Sequence, residues 1–278
     1  MNKRLFEKER EVKSLLQGFS ANRLVLCLDS TESTNIIARE FLTKGKAFDL
    51  EYKKDAPPLI IAAEQTMGEG RLGRCFESKR DMGLYMTAAY PLTGHEQYLS
   101  LLTLLAGLSS VKAAEKTVNS KGQKINLTLK WPNDIYFDGK KLGGIIVKMI
   151  NYPNIAAIVG IGINLNQSGE DFPSEIADRA VSFKMAGIDI SSSELAAEII
   201  NTLDKAVYED KSLTSPAPEI FNELNNKSFT LGKRVSFTID GKELVGTAEE
   251  ILKNGALAVK TDDGRLYEVI SGEAGFAV

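Results

Sequence analysis

The chain has 278 residues, of which 43% are hydrophobic and 26% charged, close to the average of globular domains. This composition excludes a disordered or collagen-like chain. Two cysteines and one histidine, His95, exclude a disulfide framework and a His-rich zinc site. The formal charge of −3 argues against a dedicated nucleic-acid-binding protein. With no apolar run near the ~18 residues of a membrane span and no secretory signal, we expect a cytoplasmic protein.

Hydrophobic periodicity predicts a mixture of helices and strands up to residue 226. In chain order these are a helix at 5–16, a strand at 24–28, a helix at 36–43, strands at 59–63 and 84–89, a helix at 99–118, strands at 125–131, 135–137, 141–149 and 156–164, and helices at 193–208 and 219–226. Because the two types do not alternate strictly, we expect an α+β fold with a mixed β-sheet rather than a doubly wound one.

The last fifty residues have a different sequence pattern. Four short strands are predicted at 234–239, 243–251, 256–261 and 265–270, separated by Asp-Gly or Asn-Gly turns. Their regular spacing predicts a small β-barrel. We therefore divide the chain into domains at residues 1–227 and 228–278.

The first candidate for a functional site is the segment Gly68-Glu-Gly-Arg-Leu-Gly-Arg74. Its three glycines allow backbone N–H groups to turn inward around an anion. Arg71 and Arg74 add positive charge suited to phosphate or carboxylate. The spacing matches neither an NTPase phosphate loop nor a Rossmann fingerprint, and a plain flexible loop is an equally good interpretation of this segment alone.

A second candidate is Lys130-Trp-Pro-Asn-Asp134, followed by Lys141-Leu-Gly-Gly144. The intervening Asp138-Gly139 predicts a tight hairpin in which Tyr136 faces Lys141. The two lysines can then point into one pocket, although solvated surface lysines are the alternative. The Asn and Asp of the first segment offer oxygens suited to Mg²⁺ or to orienting an amine.

Two further polar groups lie at element ends. A run of hydroxyl and amide residues, Ser30-Thr-Glu-Ser-Thr-Asn35, leads into the second predicted helix, so Ser33 or Thr34 is expected to cap it. Asn164 ends the apolar, glycine-bearing strand at 156–164. Its amide is interpreted equally well as a binding group or as a turn former.

Together these segments, in this order, resemble biotin protein ligases over the chain from about Leu24 onward. The resemblance implies a class II synthetase-like catalytic domain at residues 1–227 that binds biotin and ATP. It also implies an SH3-like β-barrel at 228–278. The family forms biotinyl-5′-adenylate from biotin and ATP with Mg²⁺, and then transfers biotin to a lysine of a biotin carboxyl carrier domain. The alternatives are a lipoate or octanoate ligase or transferase on the same fold, and a disabled biotin-binding module.

The resemblance also assigns roles to residues. Those implied in catalysis are Lys141, Arg71, Asp134 and Lys130. Those implied in biotin binding are Ser33, Thr34, Asn35, Gln65, Gly68, Arg71, Lys141 and Gly144. Those implied in ATP or adenylate binding are Arg74, Lys130, Trp131, Asn133, Lys141 and Asn164. The implied Mg²⁺ ligands are Asn164 and Asp134.

Three positions depart from the family pattern. Glu69 stands where the loop usually has an arginine, and a carboxylate there is unfavourable beside an anion unless it faces solvent or pairs with a lysine. Cys75 stands near the position of a usual aromatic residue, and we interpret it as a packing residue rather than a nucleophile. Lys148 stands where an acidic residue is usual.

The resemblance also bears on partners. Only 32 residues precede Ser33, which is too few for the winged helix that some members use to bind DNA, so no DNA binding is expected. Edge strands of this fold often pair, so a homodimer is an expectation. No membrane partner is expected.

Overall fold

The protein is represented by a computed structural model that describes residues 3–47, 50–51, 56–92, 98–151, 155–239, 241–270 and 275–276. His95 lies outside the described residues. No helix in the described part of the chain is long and apolar enough to cross a membrane.

A seven-stranded sheet forms the centre of the larger part of the chain. The strands up to residue 164 are β1 Leu24–Leu28, β2 Lys46–Ala47, β3 Leu50–Glu51, β4 Pro58–Ala62, β5 Gly83–Pro91, β6 Thr128–Lys130, β7 Asp134–Phe137, β8 Lys140–Ile150 and β9 Ala156–Asn164. The sheet order is β1-β4-β5-β9-β8-β7-β6, and β2 pairs only with β3. Strand β1 runs parallel to β4, whereas the other pairs are antiparallel, which confirms the predicted mixed sheet.

Helices cover both faces of this sheet. They are α1 Lys3–Leu15, α2 Thr34–Lys44, α3 Leu99–Ser120, α4 Ser192–Asp204 and α5 Pro218–Asn226. Because successive strand residues point to opposite faces, Leu59 and Ile61 of β4 belong to the large core that contains α1, α3 and α4. Ile60 instead belongs to a smaller core with Ile37 and Phe41 of α2. Helix α2 is therefore separated from the other helices by the sheet.

The boundaries of α2 follow from its sequence. Ser33 is the N-cap, and its side chain accepts a hydrogen bond from the backbone N–H of Asn35, as predicted. Gly45 ends the helix in the left-handed conformation, with φ of 70°. This cap fixes the polar start of α2 against the sheet, where the candidate site lies.

The hairpin between β7 and β8 also has the predicted register. Asp138 and Gly139 both have positive φ, at 47° and 74°, as a tight hairpin turn requires. Tyr136 consequently pairs with Lys141. The preceding strand is shorter than predicted, because the Leu127 N–H donates to the Glu115 side chain instead of a neighbouring strand.

The C-terminal region forms a separate antiparallel sheet. Its strands are β10 Arg234–Ile239, β11 Lys242–Ile251, β12 Leu257–Thr261, β13 Leu266–Val269 and β14 Gly275–Phe276, in the order β13-β12-β11-β10-β14. Four match the predicted strands, and β14 is an addition that pairs with β10. The buried Trp131 joins this sheet to the larger part, because its Nε1–H donates to the Gly255 carbonyl at 3.0 Å.

Candidate active site

One cavity of about 770 Å³ collects the candidate residues. Those that line it are Thr34, Asn35, Gln65, Arg71, Arg74, Lys130, Trp131, Asn133, Asp134, Lys141, Gly144 and Asn164. Ser33 and Gly68 lie behind the wall. Ser33 is fully buried as the cap of α2. A Cβ on Gly68 would lie 2.2 Å from the Phe76 carbonyl oxygen, so this position needs glycine for loop packing.

The glycine-rich segment forms a small hairpin over the cavity. The Phe76 N–H donates to the Gly68 carbonyl at 2.8 Å, and the Gly70 N–H donates to the Arg74 carbonyl at 2.7 Å. The tip is a 3₁₀ turn at Arg71–Gly73. We call residues 68–76 the glycine hairpin. Its internal bonds show that it is an ordered element and not a featureless loop.

The tip of the glycine hairpin reaches across the cavity. Arg71 Nη1 donates to Asn133 Oδ1 at 3.1 Å. Asn133 is itself fixed, because its Nδ2 donates to the Ile145 carbonyl at 2.8 Å. The hairpin therefore bridges two walls, and the Arg71 guanidinium is placed over the space between them.

The base of the glycine hairpin is held by Glu69. Its Oε1 lies 2.8 Å from Lys148 Nζ on β8, and its Oε2 accepts from Asn35 Nδ2 at 2.8 Å. Burial raises the pKa of Glu69, but hydrogen bonds from Lys148 and Asn35 and the nearby cationic charges lower it overall. Glu69 and Lys148 are both departures from the family pattern. Because they form an ion pair, each side chain neutralises the charge of the other.

A chain of hydroxyl and amide groups forms the polar floor of the cavity. Thr87 Oγ1 donates to Asn35 Oδ1 at 2.8 Å and lies 2.8 Å from Thr34 Oγ1. Gln65 Oε1 accepts from both the Thr34 N–H and its hydroxyl, at 2.9 and 3.0 Å. Gln65 Nε2 donates to Ser78 Oγ at 2.9 Å. Thr34, Asn35 and Thr87 are buried, so this chain presents a fixed array of polar atoms.

Charged groups of β6, β7 and β8 lie on another wall. Lys141 Nζ is 2.7 Å from Asp134 Oδ1. Lys130 Nζ lies 5.7 Å from the centre of the Tyr136 ring, which is within the range of a cation–π contact. Burial and the charge of Asp134 raise the pKa of Tyr136 to about 12, so its hydroxyl is a proton donor at neutral pH.

Glycines bring aromatic and backbone groups close to the cavity. A Cβ on Gly162 would lie 2.7 Å from Cε1 of Phe76, so the Phe76 ring packs directly on the β9 backbone. A Cβ on Gly160 would lie 2.6 Å from Asn35 Oδ1, so this glycine makes room for the Asn35 amide. Both contacts join the polar floor and the glycine hairpin to β9.

Both the nitrogen and the oxygen of the Asn164 amide form a hydrogen bond with a protein group. Its Nδ2 donates to the Val181 carbonyl at 3.0 Å, and its Oδ1 accepts from Gln167 Nε2 at 3.2 Å. Across the described ranges, no group of three or more His, Cys, Asp or Glu side chains is arranged to hold a metal ion. The predicted metal role of Asn164 and Asp134 stays a prediction.

The two cysteines differ in environment. Cys27 is buried on β1, and burial raises the pKa of its thiol to about 12. Cys75 is exposed and lines the cavity beside Arg74. Cys75 is therefore the thiol that reagents in solvent reach.

Several residues in and behind the cavity wall were not predicted from the sequence. Thr87 lies inside β5, where a threonine gives no sign of a binding role. The segment at residues 172–180 lines the cavity through Phe172 and Arg179 among others. It runs beside the hairpin lysine, because the Lys141 N–H donates to the Arg179 carbonyl at 2.8 Å. This segment has no hydrophobic periodicity that could have revealed it.

Comparisons with known proteins point to one family. Residues 29–166 match the Biotin/lipoate A/B protein ligase family, and residues 230–276 match the Biotin protein ligase C terminal domain. The biotin protein ligase of Aquifex aeolicus, solved with biotin and ATP, superimposes with a TM-score of 0.70 at 29% identity, covering 90% of this chain and 96% of that chain.

Two relatives extend the comparison. The bifunctional ligase/repressor BirA of Bacillus spizizenii is 32% identical over 212 residues, and the match covers 74% of this chain and 62% of the relative. The biotin--[acetyl-CoA-carboxylase] ligase of Mycobacterium tuberculosis is 25% identical, with 77% of each chain covered. This chain belongs to the biotin/lipoate A/B protein ligase family and contains a biotin protein ligase C-terminal domain.

Proposed function

We propose that this protein is an ATP-dependent biotin protein ligase. The observation that carries the proposal is the meeting of three features at one cavity: the cationic glycine hairpin, the Lys141–Asp134 pair, and the polar floor formed by Thr34, Gln65 and Asn35. A neutral polar floor suits the head of biotin. Cations near the opposite wall suit a carboxylate and phosphates.

In the first step, a biotin carboxylate oxygen attacks the α-phosphorus of ATP, and pyrophosphate leaves. Negative charge grows on the non-bridging phosphate oxygens between two anions. We assign the stabilisation of that charge to Lys141 and Arg71, which line the cavity and are held by Asp134 and Asn133. The glycine hairpin covers the mixed anhydride, which hydrolyses if water reaches it.

In the second step, a lysine amine of the acceptor attacks the biotinyl carbonyl carbon. AMP leaves, and the amine loses a proton. We assign that proton to Asp134, whose carboxylate lies beside Lys141 in the cavity wall. Relatives named biotin--[acetyl-CoA-carboxylase] ligase support a biotin carboxyl carrier domain as the acceptor.

A Mg²⁺ ion bound together with ATP fits this cavity. It takes oxygen ligands and usually binds through one or two carboxylates together with substrate phosphates. The protein ligands that we assign to it are the Asp134 carboxylate and the Asn164 oxygen, which accepts one hydrogen bond from Gln167 and has a second lone pair. The ion would neutralise phosphate charge.

The test is exchange of labelled pyrophosphate into ATP, with biotin, lipoate and octanoate supplied separately. We expect exchange with biotin alone. Lys141→Ala should lower its rate about 10²–10³-fold, the usual cost of removing one such group. Exchange with lipoate or octanoate instead would favour the alternative function, a lipoate or octanoate ligase. Biotin binding without exchange would refute the ligase and indicate a binding module.

A further inference from the structure

The chain returns to the central sheet after β9 ends. Residues 179–184, which we call the strap, lie beside the start of β8, where the Lys141 N–H donates to the Arg179 carbonyl at 2.8 Å. The Val181 N–H in turn donates to the Lys141 carbonyl at 3.0 Å. These two bonds form a parallel bridge between Lys141 and Ala180. Both backbone polar groups of the lysine are therefore bonded to the strap.

Asn164 is bonded to the same strap through its side chain and its backbone. Its Nδ2 donates to the Val181 carbonyl at 3.0 Å, and its own carbonyl accepts from the Phe183 N–H at 3.2 Å. Val181 thus donates its N–H to Lys141 and accepts from Asn164 with its carbonyl. Because Lys141 and Asn164 both line the cavity, a displacement of the strap moves two residues of the site together.

A buried hydroxyl fixes the strap to the segment that follows β9. Ser182 is 0% exposed, and its Oγ donates to the Gln167 carbonyl at 2.6 Å and accepts from the Met185 N–H at 3.1 Å. A hydroxyl has one proton and two lone pairs, so this one side chain makes both bonds at once. Since Gln167 lies only three residues after Asn164, Ser182 sets the position of the strap relative to the end of β9.

Apolar packing alone does not fix the strap along β8. The side chains of Val181 and Phe183 belong to the large core, but apolar burial has no preferred direction. Hydrogen bonds depend on both distance and angle, so they define where the peptide groups of the strap lie. We therefore regard the Ser182 hydroxyl, and not the core side chains, as the group that sets the register of the strap.

We propose that Ser182 is a positioning residue for the first step, because it holds the strap that places Lys141 and Asn164. The inference rests on the proposed function, and it names a buried group behind the cavity wall that acts through two residues of that wall. Lys141 stabilises charge on the α-phosphate, and Asn164 lies on the nucleotide side. Loss of the hydroxyl therefore affects the use of ATP more than the binding of biotin, whose head we place on the polar floor.

The test compares variants of two buried serines. Ser182→Ala removes the bonds to Gln167 and Met185. Ser110→Ala is the matched control, because Ser110 is also 0% exposed and its hydroxyl donates to the Ala106 carbonyl at 2.7 Å within α3. Ser182→Thr keeps a hydroxyl at the strap and is the conservative variant. The melting temperature of each variant shows that it is folded at the temperature of the assay.

The first measurement is pyrophosphate exchange at varied ATP, with calorimetric binding of biotin in the absence of ATP. We expect Ser182→Ala to lower kcat/KM for ATP at least about tenfold, since a misplacement of about 1 Å can cost about 100-fold in rate. Its Kd for biotin should stay within about threefold of wild type. Ser110→Ala and Ser182→Thr should stay within about threefold of wild type in both quantities.

The second measurement is hydrogen exchange of the Val181 and Phe183 amides, which needs no ligand. We expect exchange at least about tenfold faster than wild type in Ser182→Ala and an unchanged rate in Ser110→Ala. The proposal is overturned if Ser182→Ala keeps the wild-type kcat/KM for ATP or the wild-type amide exchange. It is also overturned if biotin binding weakens as much as the use of ATP, or if Ser182→Thr loses as much as Ser182→Ala. Wild-type protein without biotin-dependent pyrophosphate exchange would instead refute the ligase function itself.

Discussion

Lys141 and Asp134 form an ion pair within the candidate site, with Nζ 2.7 Å from Oδ1. The two residues come from neighbouring strands of one hairpin, in which Lys141 pairs with Tyr136 and Asp134 pairs with Gly144. The hairpin register therefore aims the lysine toward the cavity and gives it a carboxylate partner in the same wall. A phosphate entering the cavity competes with that carboxylate for the lysine.

The first prediction separates the two half-reactions by Asp134→Asn. The amide still offers an oxygen to Lys141, so the lysine stays in place, but it cannot accept a proton from the incoming amine. Exchange loses the charge of one proposed Mg²⁺ ligand, whereas transfer also loses its proton acceptor, so we expect transfer to the acceptor to fall at least about tenfold more than biotin-dependent pyrophosphate exchange. Single-turnover assays of each step measure this. Equal losses in both steps would contradict the assignment of Asp134 as the proton acceptor.

The second prediction concerns the contact of Phe76 with Gly162. In Gly162→Ala the new Cβ would lie 2.7 Å from the ring, so Phe76 and the glycine hairpin must shift. We expect a loss of about 1–3 kcal/mol in unfolding free energy and a raised biotin KM. Urea unfolding and exchange kinetics measure the two effects. Gly169→Ala is the matched control, since its Cβ would meet nothing within 4 Å.

The sequence predicts those parts of the site that depend on local signals. The Ser33 cap and the hairpin turn at Asp138-Gly139 involve residues close in sequence, so composition and spacing suffice to place them. The Glu69–Lys148 pair and the Thr87 hydroxyl depend on which strands become neighbours in the sheet. No local propensity encodes those contacts.

The third prediction concerns thiol reactivity. An aromatic disulfide reagent at pH 8 should label Cys75 and leave Cys27 unmodified in the folded protein. Cys27 is buried, and a thiol whose pKa is raised to about 12 stays protonated and unreactive at that pH. Because Cys75 lines the cavity, saturating biotin and ATP should slow its labelling. Mass spectrometry of the labelled peptides provides the measurement. Rapid labelling of Cys27 before unfolding would refute the prediction.

The fourth prediction concerns a buried ion pair distant from the cavity. Arg23 and Asp204 are almost fully buried and form two hydrogen bonds, at 2.7 and 2.6 Å. Ser20 and Tyr90 also donate to this carboxylate. Asp204→Ala leaves the guanidinium charge buried and uncompensated. We expect a loss of about 3–5 kcal/mol in unfolding free energy, measured by urea denaturation.

Two controls show whether the cost comes from the unpaired charge. Glu223→Ala removes an exposed pair with Lys112 and should cost less than about 1 kcal/mol. The double variant Arg23→Met/Asp204→Leu removes both buried charges and should recover more than half of the loss caused by Asp204→Ala. A double variant as unstable as Asp204→Ala would show that packing or the Ser20 and Tyr90 hydrogen bonds dominate. In that case the ion pair would not be the feature that holds β1 and α4 together.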